Sequence, residues 1–409
     1  MPVEVPLGDG TIEVSLPNCT VRTAIPPGGD PIDLVTASRR ALDNPHGPRL
    51  GERVDSDDSV SIVVTDGTRA TPEDVLLEPL IDDLARAGVS REQIQIVVGL
   101  GLHRPMSDDE IEAALGEYAS LAVNHDPDDT VEIGRIDGCS IEIFEPVARS
   151  DVVCSTGMVE PHQYAGFSGG AKTAIIGAGG ESQIRYTHGP EMLAREGVRL
   201  GRYEDNPFRS FLDRAGDLLG VEFCLNVTHG PAGITGVSAG DPRAVVQDLA
   251  ATARETLSVP VEQSYDAVIA GVRPPKDVNL YQASRAPTYL VLGASNPLRE
   301  GGRVVVPARL SEGAGDGRGE RRFHDRLASS TDAESLYREM REGYEPGAQR
   351  AFVLARVLRS HDVWLTNSQA PEVVENCLMN AAPTVDAAVD SESDVLVVPD
   401  ALNTLLVSA

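Results

Sequence analysis

The alternation of short apolar segments with longer helical patterns is the feature of this 409-residue chain that most restricts its fold. Runs such as 59–65 (SVSIVVT) and 93–98 (QIQIVV) are rich in Val and Ile and typical of buried strands. Helical patterns separate these runs, and strands that are joined through helices run parallel. The sequence therefore predicts an α/β protein built on mainly parallel sheets flanked by helices.

The predicted elements follow one another along the whole chain. Strands are predicted at 59–65, 93–98, 140–144, 151–154, 221–227, 267–270, 302–306, 363–366 and 394–398. Helices are predicted at 72–87, after Ser107, and at 206–219, 242–257, 286–292, 333–342 and 348–360. Thr71 is the expected N-cap of the first of these helices, with Pro72 at its first position. The charged, glycine-rich segment 313–322 is predicted to be a surface loop.

Two domains are predicted, because the alternation restarts after Ser258-Val259-Pro260. Residues 1–262 would form an N-terminal cofactor-binding domain, and residues 263–395 a C-terminal domain that contributes substrate contacts. The tail 396–409 is expected to pack back on the first domain. We expect the active site in the cleft between the two domains.

The charge of the chain argues against two classes of partner. Acidic residues number 63 against 35 basic ones, a net charge of -28, and they are spread along the whole chain. Binding to nucleic acid or to an anionic membrane needs a basic surface, so we expect neither partner. An acidic chain with only two lysines is typical of proteins adapted to high salt, where ions screen the repulsion.

The cysteine pattern and the lack of long apolar segments predict a cytoplasmic protein. The five cysteines are scattered, and no CxxC pair occurs. No apolar run has the length of a signal peptide core or a membrane span. The oligomeric state stays open, including a homo-oligomer.

Polar residues follow the predicted strands in three places: 66–69 (DGTR), 99–105 (GLGLHRP) and 160–162 (EPH). Because ligands bind outside the carboxyl ends of parallel strands, we expect these segments to meet in one crevice. Two interpretations of Asp66 and Arg69 remain open. The aspartate could cap the helix at 72 and pair with the arginine, or both could hold a ribose and an anionic group.

Lys172 stands out because arginine replaces lysine almost everywhere else in the chain. A lysine can lose its proton when it is desolvated and then act as a nucleophile, which an arginine cannot do. Alternatively, a glycine-rich turn could need a compact cation for a phosphate. The surrounding segment 166–173 (GFSGGAKT) is close to a P-loop, but Ala171 replaces the second glycine and no strand directly precedes it.

Two histidines, His103 and His162, lie in turns at strand ends and suit proton transfer near neutral pH. His188 could be a metal ligand, but the sequence alone favours an ordinary loop residue. The remaining histidines have no motif context and are predicted to be structural: His46, His125, His229, His324 and His361.

Together, these motifs resemble the nickel-dependent lactate racemase family in their order and spacing. The resemblance rests on the segments Asp66-x-Thr68-Arg69, 101–105 (GLHRP), 160–162 (EPH), 165–172 (AGFSGGAK), His188 and 275–282 (PKDVNLYQ). It implies a nickel pincer cofactor, pyridinium-3,5-bisthiocarboxylic acid mononucleotide, joined to Lys172 through a thioamide, with His188 as a nickel ligand. Cofactor-maturation enzymes would then be partners. The residues implied to contact the nucleotide are Asp66, Gly67, Thr68 and Arg69.

The resemblance also implies the reaction, the racemisation of a small 2-hydroxy acid such as lactate. His103 or His162 would remove the hydroxyl proton, the Cα hydrogen would leave as hydride, and the opposite histidine would return the proton. The residues predicted to contact the substrate are Arg69, Tyr281, Gln282, Arg285 and Trp364.

The chain departs from the family pattern in two places. The family usually has a lysine at Arg285, and Pro-Gly at Ile176-Gly177. For Trp364, a core position at a strand end is the favoured alternative to pocket lining. Two rival hypotheses are a P-loop-like enzyme that binds phosphate or nucleotide, and a non-catalytic protein that binds hydroxy acids.

Overall fold

The structure is a computed structural model that describes residues 3–345 and 347–409. These residues form two compact units. The central unit comprises residues 28–187 and 196–256, and the terminal unit comprises the described residues of 1–27, 188–195 and 257–409. The predicted α/β class is confirmed, because each unit contains a sheet whose parallel strands are connected through helices.

The sheet of the central unit carries the segments that were predicted to meet. Its strands lie in the order Gly233–Gly240, Val221–Gly230, Val152–Met158, Val60–Thr65, Ile94–Gly99, Ala122–Asn124. The first pair is antiparallel and the other neighbours are parallel. Its helices are Leu34–Asp43, Glu73–Arg86, Asp108–Leu115, Glu145–Ala148, Glu181–Thr187, Pro207–Leu219 and Pro242–Leu257.

The terminal unit is built on a parallel sheet. Its strands lie in the order Asn380–Ala382, Asp362–Thr366, Leu298–Pro307, Tyr265–Ala270, Asp394–Val398, Thr20–Thr23. Its helices are Pro190–Leu193, Leu280–Ala283, Arg285–Val291, Arg318–Ala328, Ala333–Glu342, Gln349–Leu358 and Pro371–Glu375. An antiparallel hairpin, Val3–Leu7 with Gly10–Val14, packs against this sheet through Val5 and Val14.

The two units of the structure divide the chain differently from the predicted domains 1–262 and 263–395, because both ends of the chain belong to the terminal unit. The strand Thr20–Thr23 pairs with Asp394–Val398, so the N-terminal segment belongs to the terminal unit. The tail strand Leu405–Ser408 pairs with Ser258–Val261, and both belong to the same unit. Backbone hydrogen bonding between strands far apart in sequence decides this division, and residue patterns do not record it.

The predicted strand 140–144 is confirmed as Cys139–Phe144, but it pairs antiparallel with Thr130–Ile136, because the turn Asp137-Gly138 has positive φ at both residues. Two other local predictions were wrong in part. The helix predicted at 72–87 begins at Glu73 without a side-chain cap from Thr71. The predicted loop 313–322 contains the start of a helix, Arg318–Ala328.

The strand Val60–Thr65 is buried, as its apolar sequence predicts, and the helix Glu73–Arg86 covers it. Leucines at positions 76, 77, 80 and 84 recur at helical spacing and are fully buried against this strand and its neighbours. Each such side chain contributes roughly 1.5–3 kcal/mol of burial free energy. This packing fixes the strand end that carries Asp66. Among the described residues, no helix has the length and apolar character needed to cross a membrane.

Candidate active site

The structure confirms that polar segments after three neighbouring strands meet at one edge of the central sheet. Asp66 follows Val60–Thr65, His103 follows Ile94–Gly99, and Glu160 follows Val152–Met158. His103 lies 2.6 Å from Asp66, and Arg69 forms an ion pair with Glu160. Parallel strands present their carboxyl ends to the same edge, which is why sequence order alone could predict this meeting.

Asp66 is a buried carboxylate that contacts His103. Its Oδ2 lies 2.6 Å from Nδ1 of His103, and its Oδ1 accepts hydrogen bonds from the backbone and hydroxyl of Thr68. Burial raises the pKa of Asp66, but the hydrogen bond and charge of His103 and the hydrogen bonds from Thr68 outweigh it and lower the pKa overall. Asp66 is therefore an ionised partner of His103, and it does not cap the following helix.

Arg69 forms an ion pair with Glu160, a partner that neither interpretation of the sequence included. Nε2 of His229 lies 3.6 Å from the other oxygen of Glu160. Burial raises the pKa of Glu160, but Arg69 and His229 overcome this and bring it to about 2. His229 was predicted to be structural, and its contact with Glu160 was not predicted, because no local motif surrounds the residue. It reaches the site from the strand Val221–Gly230, the second strand from one edge of the sheet.

Glycines and a buried arginine fix the conformation of the Lys172 loop. Gly166 has a φ of +77°, and a Cβ there would overlap the carbonyl oxygen of Arg202. The guanidinium of Arg209, whose side chain is 2% exposed, donates to the carbonyls of Phe167 and Gly169. No sequence pattern indicates this role for Arg209, because its partners lie about forty residues earlier in the chain.

This loop differs from a P-loop in the element that comes after it. Lys172 precedes a short π-helical turn, Thr173–Gly177, whereas a P-loop lysine opens an α-helix. The backbone at Gly177 packs closely against the loop that follows the strand Ile94–Gly99. A Cβ on Gly99 would lie only 3.0 Å from the Cα of Gly177. The backbone of Gly101 donates to the Gly177 carbonyl at 2.8 Å. The glycines at 99 and 101 therefore serve backbone packing between the His103 and Lys172 segments.

The amine of Lys172 has a strongly perturbed proton affinity. Burial lowers its pKa most, and the positive charges of Arg69 and Arg209 lower it further. Glu160 and Asp66 oppose this, and the result is a pKa of about 7. Near neutral pH the side chain is therefore half neutral and nucleophilic.

His162 lies on the short strand Pro161–His162, which pairs with Gly166–Phe167 at the start of the Lys172 loop. Its Nδ1 accepts hydrogen bonds from the backbone N–H groups of Tyr164 and Ala165, at 3.2 and 3.1 Å. The ring contacts Tyr164 edge-on at a centroid distance of 5.7 Å. The orientation of the imidazole is thus fixed from the backbone side.

In the terminal unit, Tyr281 lies in a positively charged environment. The guanidinium of Arg350 is 4.4 Å from the centre of the tyrosine ring. Burial raises the pKa of Tyr281, but the charges of Arg350 and Arg285 and a hydrogen bond from Arg350 lower it overall. Such a group suits a carboxylate ligand. Arg350 was not predicted, because it lies in an ordinary amphipathic helix, Gln349–Leu358.

Gln282 presents a buried polar atom to this region. Its backbone N–H bonds to Asn279, while its Oε1 is buried and has no hydrogen-bond partner among the described residues. A buried acceptor of this kind calls for a ligand donor or a water. Trp364 instead packs against the core cluster of the sheet, under the guanidinium of Arg303 at 5.7 Å. Its placement favours the core alternative.

His188 belongs to the terminal unit, in the segment 188–195 that includes the helix Pro190–Leu193. Arg356 anchors this helix by donating to the Leu193 carbonyl at 2.7 Å. Within the described residues, no group of three or more His, Cys, Asp or Glu side chains could hold a metal ion.

The residues present fit the pincer cofactor in the chemistry of their groups. A lysine with a pKa of about 7 provides the neutral amine that a covalent link to the cofactor requires. Arg69 offers a guanidinium for a nucleotide phosphate. His188 offers an imidazole, a ligand type that suits nickel.

Comparison with known proteins identifies the family. Residues 7–201 match the lactate racemase N-terminal domain, and residues 262–406 match the lactate racemase C-terminal domain. A lactate racemase of Lactiplantibacillus plantarum is 28% identical, covering 90% of this chain and 89% of the relative. One from Thermoanaerobacterium thermosaccharolyticum is 25% identical, covering 99% of each chain.

Solved structures show the same fold. The lactate racemase apoprotein of T. thermosaccharolyticum superposes with a TM-score of 0.87 at 24% identity, covering 99% of this chain and 100% of that one. A protein of Thermotoga maritima superposes with a TM-score of 0.67 at 15% identity, covering 91% and 97%. The chain belongs to the lactate racemase family.

Proposed function

We propose that this protein racemises a small 2-hydroxy acid, with lactate as the first substrate to test. The observation that carries the proposal is the meeting of Asp66 with His103, and of Arg69 with Glu160, at one edge of the central sheet beside Lys172, whose pKa burial lowers to about 7. A half-buried amine with a lowered pKa suits an enzyme that carries a covalent cofactor better than it suits a passive binding protein. Its relatives are named lactate racemases, which supports the choice of substrate.

The residues that would hold the cofactor follow from the site chemistry. Lys172 would form the covalent link, His188 would bind nickel, and the segment 66–69 would contact the nucleotide. When bound, the nickel pincer nucleotide supplies an acceptor for the Cα hydrogen of the substrate as hydride.

The chain itself would orient the substrate and manage its hydroxyl proton. His103 and His162 would act at the hydroxyl oxygen, with one base on each face of the substrate as the starting hypothesis. A carboxylate is best held by a bidentate guanidinium and hydrogen-bonding side chains. The groups proposed for this task are Arg69, Tyr281, Gln282 and Arg285.

The decisive experiment combines intact-protein mass spectrometry, nickel analysis and a racemisation assay. The protein should be produced both with and without the cofactor-maturation enzymes, which we propose as its partners. We expect a mass increment on Lys172, about one nickel per chain, and racemisation only in the matured material. Racemisation by protein whose Lys172 is unmodified would refute the proposal.

Variants separate the roles within the site. Lys172→Arg keeps the positive charge but removes the amine, so it should lose both the mass increment and activity. His103→Ala and His162→Ala should keep the increment and each lose about 10²–10⁴-fold in kcat, the usual contribution of proton transfer. Turnover near that of the unsubstituted enzyme would remove the histidine concerned from the mechanism.

We also propose that the protein works in the cytoplasm of a cell with high internal salt. Its cysteines, all within the described part of the chain, are free of disulfides, as a reducing compartment requires. Its net charge of -28 requires screening by ions.

A further inference from the structure

We propose that Asn279 is a positioning residue for the substrate, because its buried side chain fixes the helix Leu280–Ala283 against the loop 310–317. This inference rests on the proposed function, in which Tyr281 and Gln282 of that helix contact the substrate carboxylate. It assigns a task to a residue that acts through its neighbours and is not itself a catalytic residue. The helix and the loop both belong to the terminal unit.

The carboxamide of Asn279 is buried, with 3% of the residue exposed, and its oxygen and nitrogen are both hydrogen-bonded. Its Oδ1 accepts a hydrogen bond from the backbone N–H of Gln282 at 2.9 Å and so caps the helix. Its Nδ2 donates to Glu312 at 3.3 Å and to Glu320 at 3.2 Å. A reversed amide would point its oxygen at two carboxylates, so these partners fix the orientation of the group.

An N-cap alone does not require asparagine at position 279. Serine, threonine or aspartate would also accept a hydrogen bond from the backbone of Gln282. Of the usual N-cap residues, only asparagine combines this acceptor with N–H donors for two carboxylates. The link to Glu312 and Glu320 therefore explains the identity of the residue, and the cap by itself does not.

The loop 310–317 approaches the helix closely enough for this link. Backbone hydrogen bonds of 2.8 to 2.9 Å join the two segments: Leu310 to Asp277, Glu312 to Val278, and Leu280 to Gly313. Gly315 has a φ of +92°, and a Cβ there would lie 3.0 Å from Nδ2 of Asn279 and would overlap the carboxylate of Glu320. A glycine is thus needed where the loop passes Asn279.

The side chain of Gln282 depends on this support. Its Oε1 is buried and has no hydrogen-bond partner among the described residues, so no hydrogen bond of that oxygen fixes the side chain. Its direction follows from the backbone at Gln282, which Asn279 holds through the N–H group. A displacement of about 1 Å can cost an enzyme about 10²-fold in rate, so the position of this backbone matters for a substrate held by Gln282.

A reciprocal exchange of donor and acceptor tests the link. Asn279→Asp keeps an acceptor for the cap but places a carboxylate against Glu320. Glu320→Gln places an N–H donor against another donor whichever way its amide turns, because Glu320 also accepts from the backbone N–H of Gly317 at 2.8 Å. The double variant restores one amide and one carboxylate. Glu312 is exposed and can turn towards water.

In matured full-length enzyme, each single change should raise KM for lactate by about 10–100-fold, the effect of losing one hydrogen bond to a charged group. We expect a much smaller change in kcat, because binding of the substrate is lost and the reacting groups are unaltered. The double variant should lower KM by about 10-fold relative to either single variant. Unchanged KM in both single variants, or losses that simply add in the double variant, would overturn the inference.

Hydrogen exchange followed by mass spectrometry gives a second readout on full-length protein without cofactor. Peptides that cover 280–285 should exchange faster in Asn279→Asp and slower again in the double variant. Asp332→Ala is the matched control, since Asp332 caps the helix Ala333–Glu342 of the same unit by accepting from the backbone of Ser335 at 2.8 Å. It should affect exchange only in its own helix and leave KM unchanged. A KM raised as much as in Asn279→Asp would reduce the effect to general destabilisation and overturn the inference.

The two readouts separate this inference from the proposed function. Matured protein that racemises no 2-hydroxy acid would refute the function, and hydrogen exchange would still decide whether Asn279 holds its helix. Racemisation with unchanged KM and unchanged exchange in the single variants would refute the inference and leave the function in place. If Asn279→Asp does not fold, Asn279→Ser replaces it, because serine keeps a cap acceptor and adds no charge but cannot bind both glutamates. It should raise KM and speed exchange in the same peptides, and no change in either would overturn the inference.

Discussion

The reactivity of Lys172 is the most quantitative test of the site. With a pKa of about 7, half of its amine is neutral at pH 7. An ordinary lysine with a pKa of about 10.4 is neutral only to about 0.04% at this pH. The reactive fraction of Lys172 is therefore about 10³-fold larger than that of an ordinary lysine. Its reaction rate should level off at a pH at which an exposed lysine is still gaining reactivity.

The chain has one other lysine, Lys276, so the modified peptides can be assigned without ambiguity. Reductive methylation with a small aldehyde is followed by peptide mass spectrometry from pH 6 to pH 10 on protein without cofactor. The quantity measured is the pH midpoint of the rate profile of Lys172. The absolute rate is not used, because Lys172 is partly buried and the reagent reaches it less easily than an exposed lysine. A midpoint near 10 for Lys172 would refute the electrostatic argument.

Glu160→Gln tests the sign of the reasoning. Glu160 is one of the groups that raise the pKa of Lys172, so its neutralisation should move the midpoint to lower pH. Arg69→Met should move it to higher pH, because Arg69 lowers this pKa. If both variants moved the midpoint in the same direction, charge would not be the cause of the shift.

Three further predictions concern the rest of the molecule. His125 is buried with both ring nitrogens unpartnered among the described residues, and burial lowers its pKa from 6.5 to about 4. The unfolded chain then binds more protons than the folded chain between these pH values, so the free energy of unfolding should fall by up to about 3 kcal/mol as the pH drops from 6.5 to 4. Urea unfolding of His125→Leu should lack this pH-dependent loss of stability. A variant with the same pH profile as the unsubstituted protein would contradict the prediction. His188→Ala should lose nickel from matured protein while its thermal midpoint stays unchanged, and full nickel retention would exclude His188 as a ligand. The thermal midpoint of the unsubstituted protein should rise between 0.1 and 2 M KCl, because salt screens the net charge of -28; a flat profile would contradict adaptation to high salt.

Much of the fold follows from local patterns. The strands Val60–Thr65 and Ile94–Gly99 lie within one residue of their predicted bounds, because β-branched runs and turn residues act over a few neighbours. The hairpin at 130–144 was missed although its Asp137-Gly138 turn is a recognisable signal. Pairing of the N-terminal strand Thr20–Thr23 with Asp394–Val398 had no such signal, since hydrogen bonds between edges leave no trace in composition.

The sequence by itself determined which side chains stand at the strand ends, because the carboxyl ends of parallel strands share an edge whatever the details of packing. It placed Asp66, His103 and Glu160 near one another on that ground. Only the tertiary structure decided which groups pair: Arg69 with Glu160, Asp66 with His103, and the backbone after His162 with its ring. Pairing depends on distances of a few ångströms and on the direction of single hydrogen bonds. These are set by packing between elements far apart in the chain, and they decide protonation and therefore chemistry.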